Sequence, residues 1–102
     1  MRIKKGITIP YEYTLKTSNG VAIDLTNATT VFMVMTKDGE NVPTINGACS
    51  ISSPKTDGKV TYAWTASQTS VTGFYWLKFI ITWSNGKKEE VPSNGYDYIL
   101  IL

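Results

Sequence analysis

Eight side-chain carboxylates, one thiol and many hydroxyls are the groups in this sequence that could transfer protons or attack carbon. No histidine accompanies them, which removes the usual general base, the commonest zinc ligand and the side chain that titrates near neutral pH. A glycosidase would need two carboxylates opposed across a cleft. Asp38 and Asp57 each precede a glycine and belong to turns, while Glu89 and Glu90 are adjacent, so a strand would send them to opposite faces. Asp24, Asp97, Glu12 and Glu40 form no convergent set with them. Serine and threonine nucleophiles need an activating base, which without histidine leaves only a lysine arrangement, and no spacing marks one. Cys49 is the one cysteine of the sequence, so it can form neither an intramolecular disulfide nor a multi-thiolate metal site. Between Ala48 and Ser50 it reads as a small buried hydrophobe. Asp38, Glu40 and Asp57 lack the spacing of a calcium loop. The expectation is a protein that is not an enzyme and holds no cofactor or metal.

Charge narrows the partners. Ten basic against eight acidic residues leave a net charge of +2, without the dense basic stripe of a nucleic-acid reader. Lys4-Lys5 and Lys87-Lys88 read as solvated strand ends, the second pair neutralised by Glu89-Glu90. Met1 to Lys5 is basic, but Gly6-Ile7-Thr8-Ile9-Pro10 follows in place of a continuous apolar run, so the start reads as mature structure. The sequon Asn27-Ala28-Thr29 is then accidental. Gly73 to Trp83 is interrupted by Lys78 and has about half the length a helix needs to cross a bilayer. No membrane span is expected. With 102 residues, 42% of them hydrophobic, the chain suits a single domain over 1–102.

The elements that position these groups are strands. Six of the eight glycines follow Asn or Asp, at Gly20, Gly39, Gly47, Gly58, Gly86 and Gly95, the dipeptides that supply positive φ in tight hairpins. Between them lie seven runs rich in β-branched and aromatic residues, with no apolar stripe at helical spacing. Ile7 to Leu15 alternates and carries Pro10, which suggests an edge strand. Thr29 to Lys37 is apolar on both faces from Val31 to Met35 and so more central. Ile45 to Ser52 is a weaker third, Lys59 to Thr65 sets Val60, Tyr62 and Trp64 on one face, and Gly73 to Trp83 is the longest. Lys87 to Val91 and Tyr96 to Leu102 complete the set. The last ends apolar on both faces and so needs a pairing partner, its own sheet being the simplest. Together they predict an all-β antiparallel sandwich of about seven strands with no disulfide.

On the long strand, Tyr75, Leu77, Phe79, Ile81 and Trp83 form an apolar face that belongs in the core, joined by Trp64. The opposite face carries Phe74, Trp76 and Ile80 around Lys78. Left open, it would be an apolar patch suited to subunit contact; a loop lying across it would instead make it interior. Phe74, Trp76, Lys78 and Ile80 are therefore the candidate interface residues.

Several short elements occur in a telling order: Asp24-Leu25-Thr26-Asn27-Ala28-Thr29 before a central strand, Gly58-Lys59-Val60-Thr61-Tyr62-Ala63-Trp64-Thr65-Ala66, Gly73-Phe74-Tyr75 with Phe79, Asn85-Gly86-Lys87, and Val91-Pro92-Ser93-Asn94-Gly95-Tyr96. From about Ile7 onward the chain resembles the immunoglobulin-like domains of tailed-phage structural proteins, in particular the N-terminal domain of baseplate upper proteins and related small tail or head-tail proteins. Asp24 can accept backbone amides in an Asx-type turn. Gly73 and Tyr75 resemble a tyrosine corner, with Leu77 where an antibody domain has its disulfide cysteine. The resemblance implies a virion structural protein that docks onto other phage structural proteins or onto copies of itself. The alternative is a module that binds host-surface glycan through exposed aromatic rings.

Overall fold

Gly73–Trp83, whose odd positions are all apolar, forms the longest strand and the one on which the rest is assembled. The computed structural model describes residues 2–17, 19–92 and 97–102. Within them are nine strands: β1 (Arg2–Ile3), β2 (Tyr11–Thr14), β3 (Ala28–Lys37), β4 (Ile45–Ala48), β5 (Ser50–Ile51), β6 (Lys59–Tyr62), β7 (Gly73–Trp83), β8 (Lys88–Val91) and β9 (Asp97–Ile101). The larger sheet runs β1-β9-β7-β3-β4, and β8 also pairs with β7. Because β3 occupies one edge of β7 along almost its whole length, β9 and β8 share the other, β9 opposite Gly73–Leu77 and β8 opposite Phe79–Thr82. The smaller sheet runs β2-β6-β5. The two sheets pack face to face as a sandwich, and the fold is all-β with no disulfide, Cys49 being free.

Three sequence expectations need correction. The seven expected runs become nine strands because Arg2–Ile3 pairs as β1 and because Ile45 to Ser52 divides at Cys49, giving β4 to the larger sheet and β5 to the smaller. A sandwich edge is closed by such a crossing strand, and periodicity alone cannot reveal it. The larger sheet is mixed and not wholly antiparallel, since β1 lies parallel to β9, Arg2 opposite Leu100 and Ile3 opposite Ile101. The first expected strand also shortens to Tyr11–Thr14. Pro10 has no N–H for a ladder, and Ile9 is 69% exposed. The segment before it is tied down by Thr69, a buried residue whose hydroxyl donates to the Ile7 carbonyl at 2.9 Å. Pro92 is half-buried beside the end of β8, and the Ser93 to Tyr96 part of the expected motif lies outside the described residues.

The core forms where the two sheets face each other. Tyr75, Leu77, Phe79 and Ile81 of β7 and Val31, Met33 and Met35 of β3 meet Tyr11, Val60, Tyr62 and Trp64, while Trp83 sits half-buried at the rim. Trp64 takes edge contacts from Tyr11 and Tyr62 at centroid distances of 5.8 and 5.5 Å. Tyr13 stacks on Phe79 at 4.8 Å and so joins the sheets directly. Its hydroxyl donates to Asp97. Burial and that carboxylate push the Tyr13 phenol well above its ordinary range, so the donor keeps its proton.

Tyr75 makes the bond expected from its resemblance to a tyrosine corner: its hydroxyl donates to the Val71 carbonyl at 2.8 Å, across the turn that leads into β7. Tyr75→Phe is expected to cost about 1 kcal/mol in urea unfolding, the ordinary net worth of one hydrogen bond. A loss near zero would mean that water replaces the bond.

Glycines follow two logics. Gly20, Gly39, Gly58 and Gly86 adopt positive φ, as their Asn-Gly and Asp-Gly contexts predict. Gly47 does not: it lies inside β4, where an added Cβ would stand 2.8 Å from the Tyr62 ring. Its role is to let a ring of the opposite sheet approach.

Candidate interaction surface

The face of the larger sheet that points away from the core is built from even-numbered residues of β7, β3, β8 and β9. Register fixes its rows. Leu100 lies opposite Phe74, Tyr98 opposite Trp76 and Trp76 opposite Thr36; Lys78 lies opposite Val34; Glu90 and Phe32 flank Ile80. Phe74, Trp76, Lys78 and Ile80 thus follow one another down the middle of a single face, as alternation on β7 required. Trp76 is 40% exposed, and Phe74, Lys78 and Ile80 are half-buried.

Side-chain contacts give the upper half of this face a defined shape. Phe74 stacks on Tyr98 with ring planes 10° apart and centroids 5.4 Å apart, and meets Trp76 edge-on at 4.9 Å. The Trp76 indole N–H donates to Asp38 Oδ1 at 3.0 Å. Asp38 was expected as a turn residue ahead of Gly39; the Glu40 amide closes that turn onto the Lys37 carbonyl at 3.0 Å, and the Asp38 amide reaches across to the Phe74 carbonyl of β7 at 2.9 Å. Its carboxylate adds a second role, orienting the tryptophan. Lower on the face, Lys78 and Glu90 form an ion pair at 3.2 Å between β7 and β8. Glu89, opposite Ile81, turns to the other side of the same strand. The two adjacent carboxylates therefore diverge, as expected of a strand.

The segment after β3 borders the face without roofing it. Trp76 and the chain from Glu40 to Pro43 enclose an open groove of about 510 Å³ over Val34 and Thr36, with Lys78 at one end. A smaller groove of about 260 Å³ lies between Phe32, Ile80 and Lys88. Phe32 at 37% and Tyr98 at 46% exposure are members of the surface that strand-by-strand reading left out. Phe32 was legible as the outward residue of a strand apolar on both faces. Tyr98 was not, because only the pairing of β9 with β7 brings it beside Trp76.

Elsewhere the groups with chemical potential are held apart. Asp24 accepts the Thr26 amide at 2.9 Å and the Thr26 hydroxyl, the expected Asx turn, and these bonds hold its carboxyl below the usual carboxylate range. A groove of about 350 Å³ places Asp24 near Glu89 and Lys16, with charges of both signs on its walls. Cys49 is half-buried, and desolvation pushes its thiol up to about 12, so at neutral pH it is a protonated, weakly nucleophilic group. Among the described residues no three Cys, Asp or Glu side chains gather as metal ligands, and no helix is long and apolar enough to cross a membrane. No family model matches the chain, and a search of curated proteins finds no match to it.

Proposed function

We propose that the protein is a non-enzymatic structural component of a tailed-phage particle, located in the virion, which docks through the outer face of its larger sheet onto another particle protein or a second copy of itself. The observation that carries the docking is the row of Phe74, Trp76, Lys78 and Ile80, widened by Tyr98 and Phe32, three of whose six members keep more than a third of their surface open to water. Aromatic rings concentrated on one side of a monomer are the usual composition of an interface core. Rigidity supports the reading: β7 is paired on both edges, so the face is preformed and little ordering accompanies association. The phage setting rests on the ordered sequence motifs from Asp24 to Tyr96 and their resemblance to baseplate and head-tail domains.

Light scattering behind size exclusion over a concentration series, on wild type and Trp76→Lys together, tests the docking. A discrete oligomer that the substitution dissociates, with the β-sheet circular dichroism unchanged, is the expected result for self-docking. A wild type that stays monomeric removes the second copy and leaves the particle partner. Loss of the β-sheet signal in Trp76→Lys would assign Trp76 to the fold and not to an interface.

A further inference from the structure

The groove beside Trp76 has a chemistry of its own, and we infer that it is a binding site for a neutral saccharide of one or two rings. The proposal goes beyond protein docking: it shares Trp76 and Lys78 with the docking row but does not require that docking occur.

One wall is the Trp76 indole, partly exposed and held by Asp38, so its orientation is set before any ligand arrives. Val34 and Pro43 add apolar groups to the lining. Thr36, Asn41 and Glu40 line the same groove and bring a hydroxyl, an amide and a carboxylate to it. Hydroxyl and amide each donate and accept, and the carboxylate accepts. A groove with both kinds of lining suits a ligand with an apolar face bordered by hydroxyls, which describes a pyranose: C–H groups against the indole, hydroxyls toward the polar side chains.

Charge does not favour an anion. The charged groups of the lining, Glu40 and Lys78, are opposite in sign, and Lys78 already pairs with Glu90, so the groove holds no surplus positive charge. A wholly apolar ligand would displace water from the Asn41 amide and the Thr36 hydroxyl without replacing its hydrogen bonds. A neutral polyhydroxylated ring incurs none of these penalties. The volume, about 510 Å³, falls within the range of small-molecule sites and exceeds what a single sugar ring fills.

The test is an NMR titration of the ¹⁵N-labelled full chain with maltose, cellobiose, lactose and diacetylchitobiose, beside phosphocholine and glucose 6-phosphate. It reads the Trp76 indole N–H and the Asn41 backbone amide. At least one neutral disaccharide is expected to move both signals saturably, and Asn41→Ala, a change on an exposed segment that leaves the fold intact, is expected to weaken that binding about tenfold. The proposal is overturned if only phosphocholine or glucose 6-phosphate moves the signals, if no probe does, or if Asn41→Ala binds like wild type. Scattering on the same samples reports self-association separately, because Asn41 is outside the docking row.

Discussion

Gly58→Ala is expected to lower the free energy of unfolding by about 2–5 kcal/mol, a large part of the roughly 5–15 kcal/mol that holds a small domain together. Two costs combine. Gly58 has φ +68°, and moving an L-residue into that left-handed region costs about 1–2 kcal/mol. An alanine Cβ would also stand 2.7 Å from the Ile23 carbonyl oxygen and 2.9 Å from that of Leu15. Both are backbone atoms, so no side-chain rotation relieves the contact, and overpacking of this kind costs about 1–3 kcal/mol. The same residues hold the neighbouring chain together: the Leu15 amide donates to the Gly58 carbonyl at 2.7 Å and the Ile23 amide to the Leu15 carbonyl at 2.9 Å. Gly86→Ala is the internal reference. Gly86 has φ +84° and nothing within 4 Å of its added Cβ, so it should lose only the conformational part. Urea unfolding followed by tryptophan fluorescence measures both, and equal losses would mean that the close backbone approach at Gly58 carries no energy.

Phe79→Ala is expected to cost about 3–5 kcal/mol, the range for deleting a fully buried phenylalanine without collapse of the site. Phe79 is the ring of β7 on which Tyr13 of the smaller sheet stacks, so its removal opens the space between the sheets. Tyr13 is held at its far end by Asp97 and is poorly placed to fill that space. Ile80→Ala is the matched control on the next residue. Its side chain is half-buried on the outer face, and a loss of about 1 kcal/mol follows from halving the burial term. Thermal unfolding of the two variants should therefore separate the faces of one strand, and equal midpoints would contradict the assignment of Phe79 to the core.

What could be read from the sequence follows the range over which each signal acts. The bounds of β7, the facing of its odd and even residues, the central place of β3 and the Asx turn at Asp24 rest on neighbours within a few positions, and each is present in the structure. So is the tyrosine corner, whose spacing from Gly73 is local. The features that escaped depend on partners far along the chain. Arg2–Ile3 is too short to show any period and is a strand only because β9 lies beside it. Ile45 to Ser52 looks like one run, yet β4 pairs with β3 and β5 with β6. Asn46-Gly47 has the composition of a hairpin turn, while the glycine there answers to the Tyr62 ring across the core. The same division holds for the surface. Phe74, Trp76, Lys78 and Ile80 share a face by alternation, whereas Asp38 and Tyr98 reach them only through the fold.

The parallel pairing of β1 with β9 has a mechanical consequence. Chain enters β1 at Arg2 and leaves β9 toward Leu102 in the same direction, so tension drawing these two points apart pulls the two strands past each other lengthwise. The bonds across the pair, together with those from the Leu102 amide to the Ile3 carbonyl and from the Lys5 amide to the Leu102 carbonyl, both 2.9 Å, are then loaded in shear and strained at the same time. An antiparallel pair pulled from adjacent ends would open like a zipper, one bond after another. Tensile strength against a pull along the chain is thus set by a clamp of a few residues at the margin of the sheet, and the core is not loaded until that clamp slips.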